Sequence, residues 1–382
     1  ERSNRTVTVL DGTAIKKRGL LQNTNTDFYI INYDSLASIL EYLIAKKFQV
    51  IICDEATYIK NAKSRRSKAV YKLAANVDIR ILITGTPLTR DILDLYGLYR
   101  FVMPSLFGTE KLFHSTYCTF VNAGPTKILV GNRNLESLKK KIHSIAIRFT
   151  KDQCLDLPDK IFVKRSFDLK TARKYYDELK EESITELSSA TIIDATNILV
   201  KINKLSQICS GFIMNDGTVE QISNEKLEEL RAVLEESDLE NTKAIIWCSY
   251  TESIDQVTKA VKAFNPVVLD GRTKDKTATL TSFKSDTTVR ILVAQLQLGL
   301  GFTVNEASIA IYYETTYDLG DWLQSMDRNH RIGQTNKVTY ISLIANNSIE
   351  CSVYTALKNK QDLLSNLCKD SIRNIFEGLT GL

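Results

Sequence analysis

The sequence predicts an α/β protein with two parallel-sheet lobes and a helical insertion between them. Three observations carry this. Short apolar runs of strand length alternate with segments of helical period. The runs fall into two groups, one before about residue 90 and one after about residue 243. The stretch between the groups is helical and dense in charge.

The elements follow in chain order. Tyr29–Asn32, Val50–Cys53 and Ile79–Ile83 read as buried strands of the first lobe. Ser35–Lys46 and Ser67–Ala75 read as the helices between them. Pro158 in "CLDLPDK" (154–160) punctuates a linker. From Thr171 to Glu236 the pattern is helical, and Leu227, Leu230 and Leu234 share one face. The second lobe has strands at Ala244–Cys248, Val289–Ala294, Ile309–Tyr313 and Val338–Ile344. Its helices are Thr251–Phe264, Thr277–Lys284 and Asp321–His330. This gives a first lobe at 1–150, a linker and insertion at 151–236, a second lobe at 237–348 and a helical tail at 349–382.

Composition sets the class. At 382 residues, 43% hydrophobic and 25% charged, the chain reads as an ordinary soluble globular protein of about two domains. A net charge of +5 permits a nucleic-acid partner without arguing for one. The seven cysteines form no Cys-x-x-Cys pair, which favours free thiols in a reducing compartment. Three histidines leave little room for a zinc site. No apolar stretch reaches membrane-spanning length, so no membrane partner and a cytoplasmic location are expected. A monomer is expected.

The chemistry begins at "VIICDEATYIKN" (50–61), where a β-branched run ends in Asp54-Glu55. A P-loop ATPase presents its magnesium and water-activating carboxylates in this way, and it also needs a Gly-Lys-Ser/Thr loop. None of the 16 glycines is followed by lysine. Either Asp54-Glu55 is an ordinary helix cap with a solvated neighbour, or these residues are part of a larger ATPase. The second signal is "WLQSMDRNHRIGQ" (322–334). If it is helical to about Arg331, then Gln324, Arg328 and Arg331 share one face. Guanidinium groups there suit phosphate oxygens, because they stay charged and donate in a planar fork. The plain alternative is a solvated basic helix end.

"QSMDRNHRIGQ" resembles motif VI of the Swi/Snf-type DNA translocases of helicase superfamily two. "DEATYIKN" resembles their motif II, "LITGTPL" (82–88) motif III and "AIIWCSY" (244–250) motif IV. "VAQLQLGLGFTVNEASIAIYYE" (293–314) is similar to motif V and the strand after it. "IRFTKDQCLDLPDK" (147–160) and "LSQICSGFI" (205–213) resemble the stretches that flank the family's helical insertion. The match runs in order over about residues 25 to 360 and is closest in flavour to compact phage and bacterial members.

The resemblance implies two RecA-like lobes, of which lobe 1 lacks its N-terminal P-loop segment here. It implies ATP and Mg²⁺ as cofactors. It also implies a DNA-dependent ATPase that remodels or branch-migrates duplex or forked DNA, with this chain alone inactive. Asp54 would hold Mg²⁺ through water and Glu55 would position the attacking water. Gly299 and Gly301 would line the nucleotide site from motif V. Thr84, Gly85 and Thr86 would couple the carboxylates to the other lobe or to DNA, unless they form a plain strand-to-turn cap. Arg328 and Arg331 would be arginine fingers from lobe 2, with Gln324 orienting the same phosphate or its water. Motif V departs from the family pattern at Gln297, Leu298 and Thr303, and motif II departs at Thr57.

DNA contacts are expected along the backbone and independent of sequence. "KNAKSRRSK" (60–68) carries five basic residues, among them Lys60, Arg65 and Arg66. It is either a solvated loop or a DNA-groove element. Ser249, Gly271 and Arg272 lie at strand ends of lobe 2, where relatives hold phosphates. Two other readings stay open. One is a binding module for DNA or a protein partner, derived from such an ATPase but without catalysis. The other takes RNA as the track.

Overall fold

In the computed structural model, alternation along four short strands decides how the first part of the chain packs. The structure describes residues 4–368 except 90, 124–125, 190–194, 216, 299–300 and 317. The chain divides into two units, residues 1–121 with 129–146, and residues 122–128 with 147–382.

Unit 1 runs β1 (Val7–Val9), α1 (Ala14–Asn23), β2 (Phe28–Ile30), α2 (Tyr33–Leu36), α3 (Leu40–Ala45) and β3 (Val50–Cys53). It continues with α4 (Arg65–Ala74), β4 (Ile79–Leu82), α5 (Leu93–Val102) and α6 (Glu110–Tyr117). β5 (Cys118–Ala123) then pairs with β6 (Thr126–Asn132), and α7 (Leu135–His143) follows. β1 pairs with β2 and β3 with β4, both in parallel. The expected helix at Ser35–Lys46 is broken into α2 and α3. The Ser38 hydroxyl donates to the Ser35 carbonyl at 2.6 Å, and Ile39 leaves helical geometry at φ −131°.

One side of these strands packs on a helical core that includes Leu21, Leu43, Val70, Leu73, Leu98 and Phe101. The other side is open. Val7, Val9, Phe28, Ile30, Val50, Ile52, Ile79, Ile81 and Ile83 alternate onto it, each 40–58% exposed. Strands of an α/β lobe are ordinarily buried on both faces, and apolar surface of this kind marks an interaction site or an aggregation liability. In place of the monomer expected from the sequence, the 382-residue chain alone is therefore expected to self-associate through this face. Light scattering should show Ile52→Ser with Ile81→Ser reducing that association with little change in melting temperature. Undiminished association in the double variant would move its cause off this face.

Unit 2 runs α8 (Lys151–Cys154), β7 (Lys160–Phe167), α9 (Thr171–Ser189), α10 (Ala195–Cys209), β8 (Phe212–Asn215), β9 (Thr218–Gln221) and α11 (Glu225–Glu235). Next come β10 (Lys243–Cys248), α12 (Thr251–Ala260), β11 (Val267–Leu269), α13 (Lys276–Ser285), β12 (Ile291–Gln295) and β13 (Ala307–Tyr312). The unit ends with α14 (Leu319–Met326), β14 (Val338–Ala345) and α15 (Ile349–Cys368). The tail beyond 368 lies outside the described residues. Six strands form one parallel sheet in the order β11-β12-β10-β13-β14-β7, as expected of a RecA-like lobe. β10 and β12 are buried along nearly their whole length, which is why they read as continuous apolar runs. β7 and α11, grouped by sequence with the insertion, belong to this architecture. β7 is the edge strand beside β14, and α11 supplies Leu227, Leu230, Val233 and Leu234 to the core. No described helix is long and apolar enough to cross a membrane.

A buried ion pair ties this unit together. Lys226 of α11 meets Glu350 of α15, with side chains 1% and 2% exposed. The ammonium also lies 5.3 Å from the centre of the Tyr313 ring. The second carboxylate oxygen accepts the Ala345 amide at 2.9 Å. Removing one partner leaves a buried charge alone, so Lys226→Met should cost unit 2 about 3–5 kcal/mol in denaturant unfolding. Lys226→Met with Glu350→Leu should recover most of that loss, because neither charge then remains buried. A double variant as unstable as the single would contradict this.

Candidate functional site

Unit 1 gathers its candidate residues at the carboxyl ends of β3 and β4. The Ile83 amide donates to the Cys53 carbonyl at 2.9 Å, and the Ala56 amide donates to the Ile83 carbonyl at 3.0 Å. These two bonds extend the strand ladder and hold Asp54-Glu55 beside Thr84-Gly85-Thr86. Asp54 and Glu55 are both exposed. Asp54 Oδ1 accepts the Glu55 amide at 3.0 Å, and Tyr33 donates to the Asp54 carbonyl at 2.6 Å. Burial raises the Tyr33 hydroxyl well above its ordinary value, so it remains a donor. Glu55 sits at φ 47°, ψ 51°, in the left-handed region that a glutamate adopts rarely. Strain of this kind clusters at functional sites. The Thr84 hydroxyl accepts the Thr86 amide at 3.1 Å, while Thr86 Oγ1 is buried without a hydrogen-bond partner.

The basic stretch that follows is largely committed within unit 1. The Lys60 ammonium donates to Thr89, whose own hydroxyl donates to the buried carboxylate of Asp94 at 2.9 Å. Arg66 pairs with Asp34 at 3.1 Å and lies 5.4 Å from the centre of the Tyr58 ring. Tyr58 in turn stacks on Tyr33. Lys63 pairs with Glu110 at 3.0 Å. Arg65 and Lys68 are exposed on α4, whose first turn is capped by Ser64.

Unit 2 corrects one premise of the sequence reading. α14 ends at Met326, so Gln324 is helical but Arg328 and Arg331 are not on its face. They lie in the turn that follows. The turn is fixed from inside. Asn329, fully buried, donates to the Ala307 carbonyl at 3.2 Å and accepts the Tyr340 hydroxyl at 3.2 Å. Gln334 donates to the carbonyls of Asn329 and Asn305, both at 2.9 Å. Gly333 takes φ +97°, where an added Cβ would lie 2.8 Å from the Asn305 side-chain nitrogen Nδ2.

The internal residues of the turn leave its arginines beside motif V. Arg331 donates to the Thr303 hydroxyl at 3.2 Å, and the Arg328 guanidinium lies 5.5 Å from the Phe302 ring centre. The Val304 amide donates to the Arg328 carbonyl at 2.8 Å. Gly301 precedes this segment, and an added Cβ there would meet nothing within 4 Å. Gly299 lies outside the described residues.

The remaining lobe 2 candidates sit at the carboxyl ends of β10 and β11, where open parallel sheets present their ligand sites. The Ser249 amide donates to Glu314 at 2.8 Å, and the Ser249 hydroxyl is buried without a partner. Burial raises the Glu314 carboxyl above its ordinary value, and bonds from Ser253 and Ser249 oppose that. The Gly271 amide donates to Gln295 at 3.2 Å. Arg272 grips Asp255 through both terminal nitrogens, at 2.7 and 3.0 Å, and Asp270 through Nε at 2.8 Å. Hydrogen bonds to these two carboxylates hold its proton even more firmly than usual. Its charge is thus matched locally, which a one-dimensional reading did not reveal.

Among the described residues there is no group of three or more His, Cys, Asp or Glu placed to hold a metal. Asp54, at the carboxyl end of β3, offers an exposed carboxylate oxygen, a donor of the kind that Mg²⁺ takes together with water and substrate phosphate.

Two family models match the chain: an SNF2-related domain over residues 3–212 and a helicase conserved C-terminal domain over residues 225–333. The chain is 27% identical to an uncharacterized ATP-dependent helicase of Mycoplasma genitalium, over 98% of this chain and 36% of that protein. It is 25% identical to a TATA-binding protein-associated factor of Saccharomyces cerevisiae, over 90% of this chain and 22% of that protein. The chain thus spans about a third or less of the length of these relatives. Among solved structures, the Sulfolobus solfataricus SWI2/SNF2 ATPase core in complex with dsDNA is 26% identical, over 96% of this chain and 78% of that one, at a TM-score of 0.46.

Proposed function

Since this chain belongs to the Snf2-type family of superfamily-two helicases, we propose that it is the motor core of an ATP-driven translocase on duplex or forked DNA. The observation that supports the reading is the placement of the motif residues within each unit. Unit 1 has Asp54 and the strained Glu55 beside Thr84 and Thr86, and unit 2 has Arg328 and Arg331 on an internally fixed turn beside motif V. Asp54 would hold Mg²⁺ through water, and the bound ion would neutralise phosphate charge. Glu55 would orient and polarise the attacking water. The arginines would stabilise charge on the phosphoryl group in transit.

The open apolar face of unit 1 supports a further part of the proposal. A segment outside these 382 residues would cover it and carry the Gly-Lys-Ser/Thr loop that cradles the β- and γ-phosphates.

DNA binding would rest on phosphates, so its apparent affinity should fall linearly on a log–log salt plot between roughly 50 and 200 mM. The side-chain pairings separate the candidates. Arg65→Ala, at an exposed arginine, should reduce the salt slope by about 1. Arg272→Ala should leave the slope unchanged, because Asp255 and Asp270 already match its charge. A slope indifferent to Arg65 and sensitive to Arg272 would reverse this assignment.

A further inference from the structure

The segment entering unit 2 grips the arginine turn at two points. Lys151, the first residue of α8, donates to Asp327 Oδ1 at 2.6 Å and to the His330 carbonyl at 2.8 Å. Asp327 immediately precedes Arg328, and His330 immediately precedes Arg331. One ammonium therefore fixes the position before each arginine. Seven residues further on, the Pro158 carbonyl accepts from the His330 ring at 2.8 Å. A carbonyl only accepts, so Nε2 carries the proton, and Nδ1 is buried without a partner. α8 is itself held by a capping box between Thr150 and Gln153. The chain passes from unit 1 to unit 2 at residues 146–147, just before this grip.

We propose that Lys151 is a positioning residue that locks the arginine turn to the inter-unit linker, so that displacement of the linker displaces Arg328 and Arg331. The role is geometric rather than stabilising. The Lys151–Asp327 pair is partly exposed, at 32% and 48%, and pairs of that kind add little to global stability. Loss of the ammonium frees the Asp327 carboxylate and the His330 carbonyl together, and both flank groups whose placement sets the rate.

This inference rests on the ATPase reading for its effect on turnover, and the test separates the two. The protein that hydrolyses ATP in its whole form is compared with Lys151→Met and Lys151→Arg, and amide hydrogen exchange is followed over residues 326–334. Faster exchange in that segment of Lys151→Met, with the β10–β14 core unchanged, is expected. It should accompany a fall in kcat of up to about 10²-fold, the cost of a misplacement near 1 Å. KM for ATP should stay within about twofold and Lys151→Arg should recover part of the rate, since arginine can still donate to both acceptors. Unchanged exchange over 326–334 overturns the proposal whatever the turnover. Faster exchange with unchanged kcat overturns its catalytic half. An inactive wild-type protein counts against the ATPase reading, while the exchange measurement still decides the linkage.

Discussion

In a longer form that also carries a phosphate-loop segment, Arg331→Ala is expected to lower DNA-stimulated ATP turnover by about 10³-fold or more, the range found when arginine fingers are removed, with DNA affinity nearly unchanged. The expectation follows from where the side chain is anchored. Its backbone lies in a turn whose internal residues, Asn329, His330 and Gln334, are all 5% exposed or less. Arg331 itself is exposed, and its guanidinium donates to the Thr303 hydroxyl. Such a turn holds a charge in a fixed place at little cost on substitution. Truncation should therefore remove the charge without unfolding unit 2. Arg328→Ala should act in the same direction. It also loses contact with Phe302, so its melting temperature should be measured alongside its rate. Arg331→Lys should remain strongly impaired, because an ammonium lacks the planar fork. The check is kcat at saturating DNA and ATP, with affinity measured separately. Turnover within a few-fold of wild type in both Ala variants would remove the arginines from the chemistry.

How much of this was legible in the sequence depends on the kind of signal. The α/β class, the second-lobe strands and the motif order were readable because fully buried parallel strands leave continuous apolar runs, such as Ala244–Cys248. β7 was missed, since an edge strand reading "KIFVKRSF" mixes basic and apolar residues. β1 and β11, with three residues each, are too short to show a period. At the site, Asp54, Glu55 and the two arginines stood out by residue type and spacing. Their surroundings did not. The helix continued on paper to Arg331, but a cluster of long-range bonds from Asn329 and Gln334 replaces it with a turn. Lys60 and Arg272 read as candidate phosphate contacts, but Lys60 donates to Thr89 and Arg272 grips Asp255 as well as its near neighbour Asp270. Lys151 carried no local signal, because its acceptors lie at positions 327 and 330.

The phosphate loop bears most directly on the central claim. On the proposed reading, Asp54 and Glu55 would hold metal and water, and the arginines would stabilise charge. No Gly-Lys-Ser/Thr sequence lies within these residues, and alignment of the nucleotide is a large part of this catalysis. The measurement is DNA-stimulated ATP hydrolysis by the 382-residue chain alone and by a longer form that also carries a phosphate-loop segment, each with and without Glu55→Gln. The account predicts background rates from the chain alone, DNA-dependent turnover from the longer form, and loss of that turnover in Glu55→Gln. Robust hydrolysis by the 382 residues alone, or a longer form whose turnover ignores both DNA and Glu55, would contradict it.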